Sequence, residues 1–361
     1  MYDVIIVGAG PAGSTFARFL DGKYKTLIID KKKPQGGFQK PCGGLLASRA
    51  QQALSAFGDT LPKELLADPQ IFSVKTIDLK TGLIKHYPRE YVNVDRHKFD
   101  LWLMEKINEK VERVVGTATK ITKTDGDGYA VSYRTDDGEE KTATCKYLVG
   151  ADGANSLVRK FIAPTHKCRR YMSVQQWFKD ENEKPLYACV FDPENTDCYS
   201  WALMKDGNFI FGGAYPEKGA RDAFERQKVR LEKEYGFKFG EPIKTEACFV
   251  LRPKNAKSFC LGKENVFLLG EAAGFVSPSG LEGISSALLS GEYLADAFNG
   301  NDGGRYEPNV DCIRKSYEKQ AKKIKRRMML KLLKCPPMYT PFLRKYVMKS
   351  GLTSIPVRKD D

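Results

Sequence analysis

At 361 residues the chain is long enough for two domains, and its net charge of +14 is unevenly placed. Residues 305–361 carry 16 Lys or Arg against 5 Asp or Glu, so the preceding body is near neutral, and no recognised binding motif accompanies the charge, which excludes a nucleic-acid partner. Nine cysteines at irregular spacings without Cys-x-x-Cys, and three histidines (His86, His97, His166) in unrelated contexts, exclude a disulfide framework, a metal site and a Ser-His-Asp triad.

The chain opens with a short β-rich run, Tyr2 to Val7, that turns through Gly8, Gly10 and Gly13 into a helical pattern from Ala12 to Leu20. Gly8 permits the tight turn, Gly10 lets the backbone approach a pyrophosphate, and Gly13 lets helix and strand pack closely; the helix start, with Ala12, offers free N–H groups to phosphates. A second strand, Thr26 to Ile29, ends in Asp30, whose carboxylate suits the adenosine ribose hydroxyls and repels a 2′-phosphate. FAD or NAD is expected there rather than NADP. The following Lys31-Lys32-Lys33 reads as a solvated turn.

Two later strands end in the same way. Lys146 to Val149 closes in Gly150-Ala151-Asp152-Gly153, followed by Arg159 in a helical segment, and Val266 to Leu269 closes in Gly270-Glu271-Ala272-Ala273-Gly274. A nicotinamide dehydrogenase could use the first turn alone, whereas a flavin and its ribityl chain need cover from distant segments, so the set points to bound FAD. Glu271 suits the ribityl or pyrophosphate region. The turn Gly280-Leu281-Glu282-Gly283-Ile284 opens a further helix to about Phe298, whose dipole would favour an anionic reduced flavin by about 0.3–1 kcal/mol. The fold class is therefore α/β: a Rossmann-like FAD-binding domain with an antiparallel-sheet substrate domain and a C-terminal helical tail.

These three turns resemble the glutathione-reductase-type FAD domain of the para-hydroxybenzoate hydroxylase superfamily. Lys40-Pro41-Cys42-Gly43-Gly44-Leu45 further resembles the Cys-Gly-Gly signature of the geranylgeranyl reductase family, which saturates isoprenoid double bonds. Arg96 in Asp95-Arg96-His97, and Tyr199-Ser200-Trp201-Ala202-Leu203-Met204-Lys205, are similar to that family too. The chain departs from the family's usual Asp at Glu271, its Phe-Pro at Leu203-Met204, and its Thr-Gly-Glu-Gly at 280–283. The halogenase signature Trp-x-Trp-x-Ile-Pro is absent.

The resemblance implies an FAD-dependent reductase of carbon–carbon double bonds in a prenyl-type or other apolar substrate. A monooxygenase hydroxylating an aromatic ring, and a flavin-binding protein without turnover, are the alternatives, because one scaffold supports all three. Cys42, Gly43 and Gly44 then lie against the flavin, with the Cys42 thiol as proton donor or orienting group; packing in a tight turn is its plainer role. Arg96 joins the cofactor contacts. Tyr199 and Trp201, two apart on a strand, face one side and line the substrate slot or simply pack. Lys205 reads as a solvated strand end. No second nucleotide turn is present, so NAD(P)H visits transiently or a protein donor supplies electrons.

The FAD-binding domain is expected to be discontinuous, over 1–70, 95–170 and 255–300, with the substrate domain at 71–94 and 171–254 and a basic helical tail at 305–361. In the tail, Ile313, Tyr317, Ile324, Met328, Met329, Leu330, Leu332 and Leu333 form an apolar stripe among Lys and Arg, and Pro336-Pro337 is expected to stop the helix. Such a stripe either packs on the FAD domain or lies in an anionic membrane interface. No apolar run reaches the roughly 18 residues of a membrane span, and the N-terminus enters a strand directly; a cytoplasmic protein, peripheral at the membrane surface if the tail binds there, is expected.

Overall fold

The computed structural model describes residues 1–36, 38–182, 186–300 and 309–355. The opening run Val4-Ile5-Ile6-Val7 is β-branched throughout and buried, as a strand inside a helix-covered parallel sheet must be. It forms β1 (Tyr2–Val7), turns into α1 (Pro11–Phe19) and returns as β2 (Thr26–Asp30), parallel to β1 with Val4 opposite Thr26. The chain then crosses to the second sheet through β3 (Leu45–Leu46), α2 (Ser48–Ala56), β4 (Ile71–Asp78) and β5 (Leu83–Asn93). Helix α3 (Arg96–Glu105), capped by the Asp95 carboxylate on the His97 and Lys98 amides, brings it back.

The strands β6 (Glu112–Lys123), β7 (Tyr129–Thr135) and β8 (Glu140–Gly150) form an antiparallel meander whose ends join the parallel core, β6 beside β2 and β8 beside β1. Its turns fall at 124–128 and 136–138, where Asp and Gly cluster. After α4 (Leu157–Ile162) comes the rest of the second sheet: β9 (Arg169–Lys179), β10 (Tyr187–Phe191), β11 (Tyr199–Lys205), β12 (Asn208–Pro216), α5 (Ala220–Tyr235) and β13 (Lys244–Arg252). Its order is β13-β9-β12-β11-β10-β4-β5-β3, antiparallel except for β10 and β4. One face packs Phe178, Phe209 and Phe211 against Phe224 and Leu231 of α5. The other face carries Tyr187, Trp201, Leu203 and Ile210 and looks toward the first sheet's glycine turns.

The chain returns through β14 (Gly262–Lys263) and β15 (Val266–Leu268), the latter parallel to β8, and continues into α6 (Ile284–Asn299), which packs on α1. The tail begins with α7 (Val310–Leu332). Its residues Ile313, Tyr317, Ala321, Ile324 and Met328 are buried in the first sheet's core, and the Tyr317 hydroxyl donates to Leu268 O at 2.8 Å. Met329, Leu330 and Leu333 stay exposed, so the stripe read from the sequence is divided between core and surface. The helix does stop before Pro336-Pro337, as expected, but the chain does not leave the helical region there. Helix α7 ends at Leu332, and the two prolines sit in the first turn of a new short helix, α8 (Cys335–Tyr339), where the missing N–H would have no partner anyway. Helix α9 (Pro341–Lys349) follows and is pinned to the second sheet by a buried bidentate pair, Arg344 to Asp78 at 2.9 and 3.0 Å. Residues 301–308 and 356–361, which include both ends of the expected tail, lie outside the described residues.

Candidate active site

The first turn is built by close approach. Gly8 adopts φ +102° and a Cβ there would stand 2.5 Å from Ala151 O; a Cβ on Gly13 would stand 1.9 Å from Gly8 O. Gly10 differs: the first atom its Cβ would meet is Lys32 Nζ at 4.0 Å, so the space above it is open. No side chain caps α1, whose first-turn amides therefore face that space. Asp30 stands at the edge, one oxygen accepting from the Ala9 amide at 2.6 Å and the other from the Lys32 amide at 2.7 Å.

The second and third turns are tied to each other by Arg159, which donates to Ala272 O at 2.9 Å and to Ala154 O at 2.5 Å. Asp152 spends its carboxylate on the start of α4, accepting from Ser156 Oγ at 2.5 Å and the Leu157 amide at 2.6 Å; burial raises its pKa, opposed by the Ser156 hydrogen bond. Glu271 is likewise engaged, by the Leu251 amide at 2.9 Å and by the Lys40 ammonium. Burial is the largest single influence on Lys40 and depresses it, but the Glu271 charge, the nearby Cys248 and the hydrogen bond to Glu271 together hold the ammonium above its ordinary value.

All three turns open on one cavity of about 1170 Å³. That exceeds the roughly 300–1,000 Å³ of a pocket for a single small ligand, so a dinucleotide and a second molecule fit together. Gly8, Gly10, Ala12, Asp30, Cys42, Gly43, Arg96, Asp152, Gly270, Glu271, Gly280, Gly283 and Ile284 line it, as do Tyr199 and Trp201. Gly13 and Gly44 stand behind the wall. The open cradle over Gly10, the uncapped helix and the neighbouring carboxylate fit FAD. At the far end α6 starts at Gly283 without a side-chain cap, its first amides facing the cavity.

Between these ends lies the Cys42-Gly43-Gly44 turn. Cys42 Sγ accepts from the Gly44 amide at 3.4 Å, and the Arg96 guanidinium, paired with Asp100 at 2.9 Å, lies against the thiol. Trp201 is held by Gln175 Oε1 at 3.1 Å, and the Tyr199 hydroxyl donates to Gly280 O at 2.9 Å, fastening the second sheet to the turn before α6. Tyr91 and Tyr187 meet edge to face at 5.7 Å, and Tyr91 reaches Glu282 at 3.3 Å. Cys248 also faces the cavity, its thiol pushed up to about 11 by burial.

Two lysines were misplaced by the sequence reading. Lys205, expected as a solvated strand end, is 3% exposed and donates to Gly43 O at 2.8 Å and Val94 O at 2.6 Å; burial pulls its pKa down to about 8. The signal was present, because the period of two that puts Tyr199 and Trp201 on one face also puts Lys205 there. Lys32, expected in a solvated turn, is 7% exposed, between Asp30 at 3.6 Å and Asp100 at 3.8 Å. Lys33 does reach the surface, pairing with Asp136. Lys40 was read only as part of the Cys-Gly-Gly segment and Tyr91, Tyr187 and Cys248 were given no role; their partners lie far away in sequence, 231 residues for Lys40 and Glu271.

Residues 1–299 match the family model described as FAD binding domain. The chain is 44% identical over 361 residues to Protein CbrA of Escherichia coli O157:H7, covering 99% of each, and 44% identical to Protein CbrA of Shigella sonnei, again with 99% of each covered. Among solved structures it is similar to a geranylgeranyl bacteriochlorophyll reductase-like protein of Thermoplasma acidophilum, with TM-score 0.78, 20% identity, and 96% of this chain and 90% of that one covered. It is also similar to the p-nitrophenol 4-monooxygenase PnpA of Pseudomonas putida, with TM-score 0.69, 15% identity and 99% of each chain covered. These two likenesses establish the shared α/β fold, with its helical C-terminal tail.

Proposed function

Since this chain belongs to the FAD-binding-domain family of flavoenzymes, we propose that it is an FAD-dependent reductase of carbon–carbon double bonds in a prenyl-type or similarly apolar substrate, close in kind to the geranylgeranyl reductases. The observation that carries the reading is the wall of Leu45, Tyr187, Tyr199, Trp201 and Leu203 directly beyond the Cys42-Gly43-Gly44 turn. It is apolar where a hydrocarbon would lie, and the described residues place no His or free carboxylate on it.

Bound FAD, once reduced, supplies the hydride. Gly10 and the amides of α1 would hold the pyrophosphate, Asp30 the ribose, and the start of α6 would face the flavin. Lys205 fixes the Gly43 carbonyl, and through it the turn that sets the distance between the ring and the alkene. The Cys42 thiol gives its proton to the carbon beside the one receiving hydride and regains it from solvent. NAD(P)H or a protein donor would supply the electrons transiently. The exposed Leu330 of α7, Leu333 just after it, and Phe342 and Tyr346 of α9, among Lys and Arg, hold the opening against an anionic bilayer in which the substrate is dissolved.

The test is rapid mixing of the reduced, FAD-loaded protein with candidate alkenes without oxygen. Reoxidation of the cofactor by an alkene is the expected result. Reoxidation that requires oxygen and yields a hydroxylated product would replace this reading with the monooxygenase one.

A further inference from the structure

Lys205 carries a charge that nothing around it answers. Its ammonium is 3% exposed and donates to Gly43 O at 2.8 Å and Val94 O at 2.6 Å, both neutral carbonyls. A buried cation is ordinarily matched by a carboxylate, because leaving water unpaired is costly. The charged and titratable groups that face it are Cys42, Asp95, Asp206 and Arg96, and each is committed elsewhere. Asp95, at the start of α3, gives its carboxylate to the His97 and Lys98 amides at 2.8 and 3.0 Å. Asp206, in the turn after β11, accepts from the Asp68 amide at 2.8 Å. Arg96 is a second cation and is paired with Asp100 at 2.9 Å, while the Cys42 sulfur accepts from the Gly44 amide at 3.4 Å. Among the described residues Lys205 therefore has no ion pair, and burial pulls its pKa down to about 8.

Hydrogen bonding alone does not account for a lysine here. A neutral donor of the same reach would serve a carbonyl without the cost of a buried charge, so the charge itself calls for an anion. The place for one is on the other side of Gly43. Cys42 and Gly43 line the cavity, and Lys205 stands directly behind them, so near that a Cβ on Gly44 would strike its Nζ. The ammonium thus acts on the cavity through the turn rather than through bulk water, and its field is weakly screened. Two-electron reduction of a flavin with uptake of one proton adds one negative charge to the ring that this turn is proposed to face.

We propose that Lys205 is a positioning residue whose buried ammonium, acting through the Cys42-Gly43-Gly44 turn, favours the anionic reduced form of bound FAD over the oxidised form. The inference rests on FAD lying in this cavity with its ring against the turn, and it requires no particular substrate. The coupling is reciprocal: a charge that favours reduction is itself favoured by reduction. Reduction then raises the Lys205 pKa above its value of about 8, and the protein takes up part of an additional proton between about pH 8 and 9.

The test is the midpoint potential of the FAD-loaded protein, titrated without oxygen against a reference dye and with no substrate present. At pH 7, Lys205→Met should lose about tenfold of the parent's preference for reduced over oxidised FAD, a potential lower by about 30 mV. Lys205→Gln, which still donates to a carbonyl but has no charge, should match it. The gap should close above about pH 9, where the parent's ammonium has lost its proton as well. If neither variant folds, the parent alone decides, by taking up a fraction of a proton more on reduction between pH 8 and 9 than between pH 7 and 8. Equal potentials in parent and variants, a preference restored by Lys205→Gln, a gap unchanged at pH 10, or no excess proton uptake by the parent overturns the role of the charge. Protein that takes up no FAD removes the cofactor site and this role with it. Alkene reduction enters none of these readouts, so failure of the reductase reading leaves the proposal standing, and failure of the proposal leaves that reading intact.

Discussion

The two ends of the cavity are made in different ways. At the dinucleotide end, the groups that meet the ligand are backbone atoms of tight turns, and each turn is a short run of consecutive residues: 8–13, 150–153 and 270–274. At the other end the wall is assembled from side chains on β3, β5, β10, β11 and α6, and its lip from α2 and α7, the last of these more than two hundred residues from β5. A turn that requires glycine announces itself locally, because another residue collides with backbone that cannot move. A wall built of side chains tolerates replacement, and its members are neighbours only after folding.

The largest expected effect separates two glycines of one turn. Gly13→Val drives a side chain into Gly8 O and should cost the protein its fold, read as insoluble protein or loss of a cooperative melt. Gly10→Val meets no wall and should leave the melt of the FAD-free protein intact while FAD content falls by about tenfold or more, because the side chain fills the space a pyrophosphate needs. A folded Gly10→Val variant with full FAD content would break the distinction.

Lys205→Met tests the join between the two ends. It leaves the buried carbonyls of Gly43 and Val94 without a donor, a loss of about 1–3 kcal/mol for each, measurable by urea unfolding. The pH dependence has a definite sign. The folded pKa of about 8 lies below the usual 10.5, so between these values the unfolded chain holds more protons and parent stability should rise with pH relative to Lys205→Met; below about pH 8 the difference between the two should be flat. A gap that is constant from pH 7 to 10.5 would show that the lysine is not buried as described.

Cys42→Ala is expected to keep FAD, since the pyrophosphate and ribose contacts lie elsewhere, and to lower turnover by about 10²-fold or shift its products, the usual scale for a lost proton donor. Unchanged rate and products would leave the thiol a packing role. The smallest effect concerns the tail. Replacing Lys322, Lys323, Lys325, Arg326 and Arg327 by Gln should weaken salt-sensitive sedimentation with anionic vesicles, at roughly 1 kcal/mol for each residue near the surface, without altering the melt by more than about 1 kcal/mol. No sedimentation of the parent at low salt would remove the membrane contact.

The same contrast accounts for what the sequence disclosed. The strands of the parallel core and the glycine turns were legible because burial on both faces and close backbone approach each leave a local mark. Helix α5 carries a local mark of the same kind, flanked by Gly219 and Gly236 in left-handed turns. Lys205 and Lys32 were misread because a lysine's local signal is solvent, and only the tertiary partners Gly43, Val94, Asp30 and Asp100 overturn it. Pro336-Pro337 marked the end of α7 correctly, and what the sequence did not show is that the same prolines open the short helix α8. The division of the α7 stripe was invisible for the same reason as the cavity lip: which apolar residues are covered depends on β15 and α6, not on the helix's own period.

The most direct measurement is a single turnover of the reduced, FAD-loaded protein with a prenyl substrate in the strict absence of oxygen, with the product weighed by mass spectrometry. The account predicts a product heavier by two hydrogens per reduced cofactor consumed, formed by the parent and not by Gly10→Val. A substrate recovered unchanged without oxygen and heavier by one oxygen atom in its presence would contradict it.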